Sequence, residues 1–150
     1  MNPISSIAFP RDVVAIEIPE DLREEMVRHA FDGLPNEACG LLGGRTEDGV
    51  ARAEHFWPLT NADQSNLTYR LDGREQLEVF KELEEKGWDL VGIFHSHTHT
   101  EAYPSATDRR QAFYPDAHYL LVSLQDRNNP DLRAFTIRDG LVHEEEVRIA

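Results

Sequence analysis

An apolar run from Asp89 to Phe94 ends in His95-Ser96-His97, followed after seven intervening residues by Ser105 and after two more by Asp108. This spacing constrains the fold more than any other feature of the chain. Residues at i and i+2 of an extended segment point to the same side, so the imidazoles of His95 and His97 converge while Ser96 turns away. Behind Pro104, the segment Ser105-Ala106-Thr107-Asp108 reads as a helix start, with Ser105 as N-cap and Asp108 reaching back from the first turn. A chain that satisfies both readings sets a strand end against a helix beginning. Asp108 then joins the two histidines as a third ligand for one cation. Hydrolytic zinc sites are built this way, with three N or O ligands and a fourth position kept for water.

Upstream, Leu34-Pro35-Asn36-Glu37-Ala38-Cys39-Gly40-Leu41-Leu42-Gly43-Gly44 places one acid at the mouth of an apolar, glycine-rich strand. On composition alone Glu37 is a solvated turn residue. Beside a metal site it is the general base that the site otherwise lacks, because His95, His97 and Asp108 are committed to the cation.

Glu37 with Cys39-Gly40-Leu41-Leu42, then His95-Ser96-His97, Ser105 and Asp108, resembles the JAMM (MPN-plus) metalloprotease family, whose signature is Glu…His-x-His-x7-Ser-x2-Asp. The likeness runs from about Ile16 to the C-terminus. Within the family, His95 to Asp108, Pro115-Asp116-Ala117-His118-Tyr119 and Ile137-Arg138-Asp139-Gly140 look most like the actinobacterial Mec-type enzymes. The resemblance implies an α/β fold of the JAB/MPN (cytidine-deaminase-like) kind, a mixed sheet flanked by helices. It further implies one Zn2+ per chain on His95, His97 and Asp108, proton transfer by Glu37, and a hydrogen bond from the Ser105 hydroxyl to the oxyanion. The implied partner is a ubiquitin-like sulfur-carrier protein ending in Gly-Gly, from which cysteine is hydrolysed in cysteine biosynthesis. Its extended tail would enter a narrow groove, with pairing to a sheet edge as one means of holding it. Two alternatives stand beside this: a broader isopeptidase that removes ubiquitin-like modifiers from lysine, and a metal-free MPN scaffold, against which the intact motif residues weigh.

The rest of the chain narrows the classes. Its 150 residues suit one domain over 1–150. A net charge of −13, from 28 acidic and 15 basic residues, argues against nucleic acid as partner. No apolar run approaches the ~20 residues of a membrane span, and Met1 to Arg11 lacks the cationic start and apolar stretch of a secretory signal. The expected location is cytoplasmic. A single cysteine, Cys39, agrees with a reducing compartment and reads as a small buried hydrophobe. The oligomeric state stays open, a homodimer included.

Periodicity predicts strands at Val13–Ile18, Ala38–Leu42, Val50–Leu59, Asp89–Phe94, His118–Leu124, Leu132–Arg138 and Leu141–Val147. Gly43-Gly44 is expected to close the second strand, and Asp48-Gly49 and Asp139-Gly140 to turn hairpins. Helices are expected from Pro19 to Asp32-Gly33 with Leu22, Met26 and Val27 inward, from Asp72 to Gly87 with Leu77, Phe80 and Leu83 inward, and over Ser105–Phe113. His99 continues the alternation of His95 and His97 and is a candidate extra ligand, although the family pattern leaves it unassigned. His29, His55, His118 and His143 read as surface or core residues. Trp57 and Trp88 read as packing residues. Among Arg70, Arg74, Arg109 and Arg110, one is a candidate to hold the carboxylate of a released amino acid.

Overall fold

The computed structural model describes residues 14–150. The absence of a signal in Met1–Arg11 and the placing of Val13 in the first strand lie outside them. Ten elements follow in order: β1 Ala15–Ile18, α1 Glu20–Gly33, β2 Cys39–Glu47, β3 Val50–Leu59, α2 Gly73–Lys86, β4 Asp89–His97, α3 Ala106–Arg110, β5 His118–Ser123, β6 Asp131–Arg138 and β7 Leu141–Ile149.

The strands form the expected mixed sheet, with α1 and α2 packed against it, and the sheet closes into a barrel in the order β1-β3-β2-β4-β5-β6-β7, a closure the sequence reading did not include. Four-residue β1 makes the closure, pairing in parallel with β3 (Ala15 opposite Val50) and with β7 (Ala15 opposite Glu146). Hydrophobic periodicity says which way side chains point and carries no information on which strand lies alongside.

Strands β2, β4 and β5 are buried on both faces, as a near-continuous apolar run requires. One cluster joins Leu42, Phe94, Leu120 and Val122 to Leu22, Met26 and Ala30 of α1. The other joins Leu41, Ile93, Tyr119 and Leu121 to Val79 and Leu83 of α2. Leu77 was expected on that inner face and is instead 54% exposed. It lies roughly 200° around the helix from Val79, at about 100° per residue. Asp72 caps α2 by accepting from Arg74 N and Glu75 N, each at 3.0 Å, and Gly87 ends it at φ 67°.

Strand β2 does not stop at Gly43-Gly44 but runs through them to Glu47. A side chain at Gly44 would collide with the carbonyl of Arg52, and one at Gly43 would stand 2.6 Å from Leu83 and 2.8 Å from Trp57. These glycines are there for close approach across the sheet, where the β2–β3 register shifts. Both hairpins turn as expected, with positive φ at Asp48 and Gly49 and at Asp139 and Gly140. The third helix is shorter than predicted. No residue of α3 is buried, Phe113 is 74% exposed, and the residue before Pro115 is disfavoured in helical geometry.

Candidate metal centre

His95 and His97 leave the last turn of pleat in β4 on one face, 1% and 4% exposed. Ser105 caps α3 by accepting from Asp108 N at 3.1 Å, and Asp108 Oδ2 accepts from Ser105 N at 2.9 Å. This capping box aims the carboxylate at the strand. His95 Nε2 and His97 Nε2 each lie 3.1 Å from Asp108 Oδ2. One donor atom from each of the three residues falls within 4.8 Å of the others. The three residues singled out by spacing are thus brought together.

The hydrogen bonds test whether a cation suits the place. His97 Nδ1 donates to the carbonyl of Glu101 at 2.8 Å, so in the neutral ring Nε2 carries a lone pair. That lone pair faces a carboxylate oxygen, an arrangement that needs a positive centre between them. A tetrahedral cation at about 2.05 Å from each donor would hold the donors about 3.3 Å apart, close to the 3.1 Å found. Burial opposes the charged form of Asp108, but the two imidazoles against it and the bond from Ser105 N hold its carboxyl well below the usual range. Burial lowers the His95 imidazole against the pull of Asp108. Burial also opposes charge on His97, yet the bonds to Asp108 and Glu101 raise it.

Glu37 is not a solvated turn residue. It is 5% exposed, and its Oε1 has no hydrogen-bond partner among the described residues. Burial pushes its carboxyl up to about 8, with His97 opposing and Asp108 adding to the rise. Its backbone is tightly held: Glu37 N donates to Ser65 O at 2.8 Å, and Glu37 O accepts from Asn61 Nδ2 at 3.0 Å. Ala38 N donates to Ser96 Oγ at 2.8 Å, and Ser96 N donates back to Ala38 O at 3.0 Å. The serine between the two histidines therefore ties the acid to the strand that bears them.

Ser96, Asn61 and Tyr69 escaped the sequence reading. Tyr69 stacks on His95 at 4.3 Å between centroids and 20° between planes. On the Tyr69 side is a cavity of about 360 Å3 walled by Ile93, Phe113, Tyr114 and Tyr119. On the other side a cleft of about 160 Å3 is lined by Glu37, His97 and Ser105 together with Leu67, Thr98 and His99. His99 is exposed and stands outside the three-donor cluster. None of the four candidate arginines lines the cleft. Arg70 pairs with Asp63 at 3.1 Å, Arg109 and Arg110 line a separate depression with Asp139 and Gly140, and Arg74 is exposed at the start of α2. His29 Nε2 lies 2.9 Å from the carbonyl of Cys39 and 3.1 Å from that of Leu59. Cys39 is fully buried, and burial pushes its thiol up to about 12, which removes it as a nucleophile.

Residues 19–138 match the family described as prokaryotic homologs of the JAB domain. The chain belongs to this family, the prokaryotic branch of the JAMM (MPN-plus) hydrolases. It is 47% identical over 137 residues to the CysO-cysteine peptidase of Mycobacterium tuberculosis, covering 91% of this chain and 92% of the relative. It is 34% identical to the desampylase of Haloferax volcanii, over 75% of this chain and 83% of that protein. The solution structure of a Desulfitobacterium hafniense protein superimposes with a TM-score of 0.83 at 44% identity, covering 90% of this chain and 92% of that one.

Proposed function

We propose that the chain is a zinc metallopeptidase that hydrolyses the amide between the C-terminal glycine of a ubiquitin-like sulfur-carrier protein and cysteine. The observation that carries the chemistry is the buried Glu37 carboxylate, its Oε1 without a hydrogen-bond partner among the described residues, beside three converging donors. The substrate rests on the likeness, over 91% of the chain, to a protein named for CysO-cysteine. His95, His97 and Asp108 hold the metal. When bound, zinc supplies Lewis acidity, polarising a carbonyl and bringing the pKa of a coordinated water toward about 7. Glu37 accepts a proton as water attacks the carbonyl and gives it to the departing amine. Its desolvated site lifts its proton affinity, which suits the second half of that cycle. Ser105 Oγ accepts from Asp108 N and so keeps its own hydroxyl proton to donate to the oxyanion; capping and catalysis use opposite ends of the same group. Asn61 and Ser96 position Glu37. The catalytic unit is one domain over residues 1–150, working in the cytoplasm.

A sulfur carrier extended by one C-terminal cysteine is the test. Mass spectrometry is expected to show loss of that cysteine and a carrier ending in Gly-Gly. A second reading, cleavage of modifiers from lysine, is favoured by the likeness to the desampylase and to a probable TtuB-protein conjugate cleaving protease of Thermus thermophilus, 36% identical over 85% of the chain. An enzyme that ignores the cysteine adduct and cuts a lysine conjugate would replace the first reading with the second.

A further inference from the structure

The two imidazoles of the metal centre are held by different means. His95 Nδ1 has no hydrogen-bond partner among the described residues, and its ring is stacked on Tyr69. His97 is held by a hydrogen bond, its Nδ1 donating to Glu101 O at 2.8 Å. That bond decides which nitrogen can serve a cation, because with the hydrogen on Nδ1 the lone pair is on Nε2, 3.1 Å from Asp108 Oδ2. A ring fixed in this way is only as well placed as the carbonyl that receives it.

Glu101 lies in the connection between β4 and α3, where no strand or helix fixes the backbone. Two bonds orient its carbonyl. Tyr103 N donates to Glu101 O at 2.8 Å and fills its second lone pair. One peptide earlier, Thr100 O accepts from Ser123 Oγ at 2.6 Å. Ser123 ends β5, opposite His97 in the ladder, and is buried. Gln125 N, 3.1 Å from Ser123 Oγ, is itself a donor, so the single hydroxyl proton belongs to Thr100 O. Leu124 N donates to His97 O at 2.9 Å. The backbone of the ligand and the loop that returns to its ring are therefore fastened to consecutive residues at the end of β5. Beyond Glu101, the fully buried Ala102 anchors the loop in the second core cluster.

Resting on the zinc-site reading above, we propose that Ser123 is a positioning residue of the metal centre: by pinning Thr100 O it holds the Glu101 carbonyl against His97 Nδ1 and so keeps Nε2 available to the ion. It touches neither metal nor substrate. Losing a group that orients a metal-binding histidine typically costs about 10-fold to 100-fold in metal affinity. Ser123 acts one peptide away from the accepting carbonyl, so the lower end of that range applies. The same loop, through Thr98, His99 and Thr100, walls the cleft beside Glu37, so one hydroxyl steadies both the ligand and the cleft wall.

Competition for zinc with a chromogenic chelator of known affinity is the measurement, made beside urea unfolding of the same proteins. Ser123→Ala should bind zinc about tenfold more weakly than wild type, and Ser123→Thr, which keeps the hydroxyl, should recover most of that loss. Thr136→Val is the control: it removes another buried hydroxyl, bonded to Glu145 at 2.7 Å, and should lower stability while leaving zinc affinity unchanged. If Ser123→Ala does not fold, Ser123→Cys, close in shape and a poor donor, takes its place with the same expected loss. Wild-type affinity in the variant lacking the hydroxyl, or an equal loss in Thr136→Val, would overturn the role of Ser123 and leave the metal site standing. A wild-type protein with no affinity for zinc would remove the site and this inference together.

Discussion

His118 opens β5, the strand that pairs with β4 beside the ligands. It is fully buried, and neither ring nitrogen has a hydrogen-bond partner among the described residues. Burial, with the charge of Arg138 adding, lowers its imidazole from 6.5 to about 4. Across the window from 6.5 down to 4, the unfolded chain takes up a proton that the folded chain refuses, so stability falls as pH falls. A gap of about 2.5 pH units corresponds to about 3 kcal/mol in all, and about 2 kcal/mol is already lost at pH 5. Against a typical total of about 5–15 kcal/mol, that is a large share. His118→Leu keeps the apolar face shared with Leu120 and Val122 and has nothing to titrate. Urea unfolding of both proteins at pH 7 and pH 5 is the assay, and the difference between them cancels the other ionisable groups. The variant should be at least as stable at pH 7, because an unpaired buried donor is removed. It should also gain about 2 kcal/mol relative to wild type on going to pH 5. Parallel pH dependence in the two proteins would refute the reasoning.

Glu37→Gln should keep the fold and the zinc and lose about 100-fold to 10,000-fold in turnover, since the amide matches the shape but accepts no proton. Single-turnover kinetics alongside metal analysis checks this, and near-normal hydrolysis with zinc bound would remove Glu37 from the reaction. Purified protein should contain about one zinc per chain, lost with activity in His97→Ala and on chelation. Equal metal content in wild type and in His95→Ala with His97→Ala would show that the ion is held elsewhere.

The convergence of the three proposed ligands was legible because their geometry is local. A period of two aligns His95 with His97, and the capping offset from Ser105 to Asp108 orients the carboxylate within one helical turn. Glu37 was ambiguous, a solvated turn residue on composition alone and a general base only when read with the metal site, and its burial to 5% exposure was not legible. Tyr69, Asn61 and Ser96 were not legible. Tyr69 meets a histidine 26 residues away in sequence, and Ser96 holds Ala38 across 58; no spacing rule spans such distances. Barrel closure failed for the same reason, because β1 is too short to announce two neighbours. Leu77 shows the remaining weakness: an apolar residue one position off the inner stripe looks like part of it until the helix is packed.

Asp108 Oδ2 accepts a hydrogen from the N-cap of α3 while facing two imidazoles. With an ion at the proposed site, one atom would serve both the winding of a helix and the closing of a coordination sphere. The two processes are linked, and linkage is reciprocal: whatever free energy an ion gains from a wound helix, the helix gains from the ion. Five residues form no stable helix by themselves in water, and α3 buries little beyond the Asp108 side chain, which is 8% exposed. Its order is then borrowed from the site it serves, so this turn of the chain would report occupancy to anything that reads its surface.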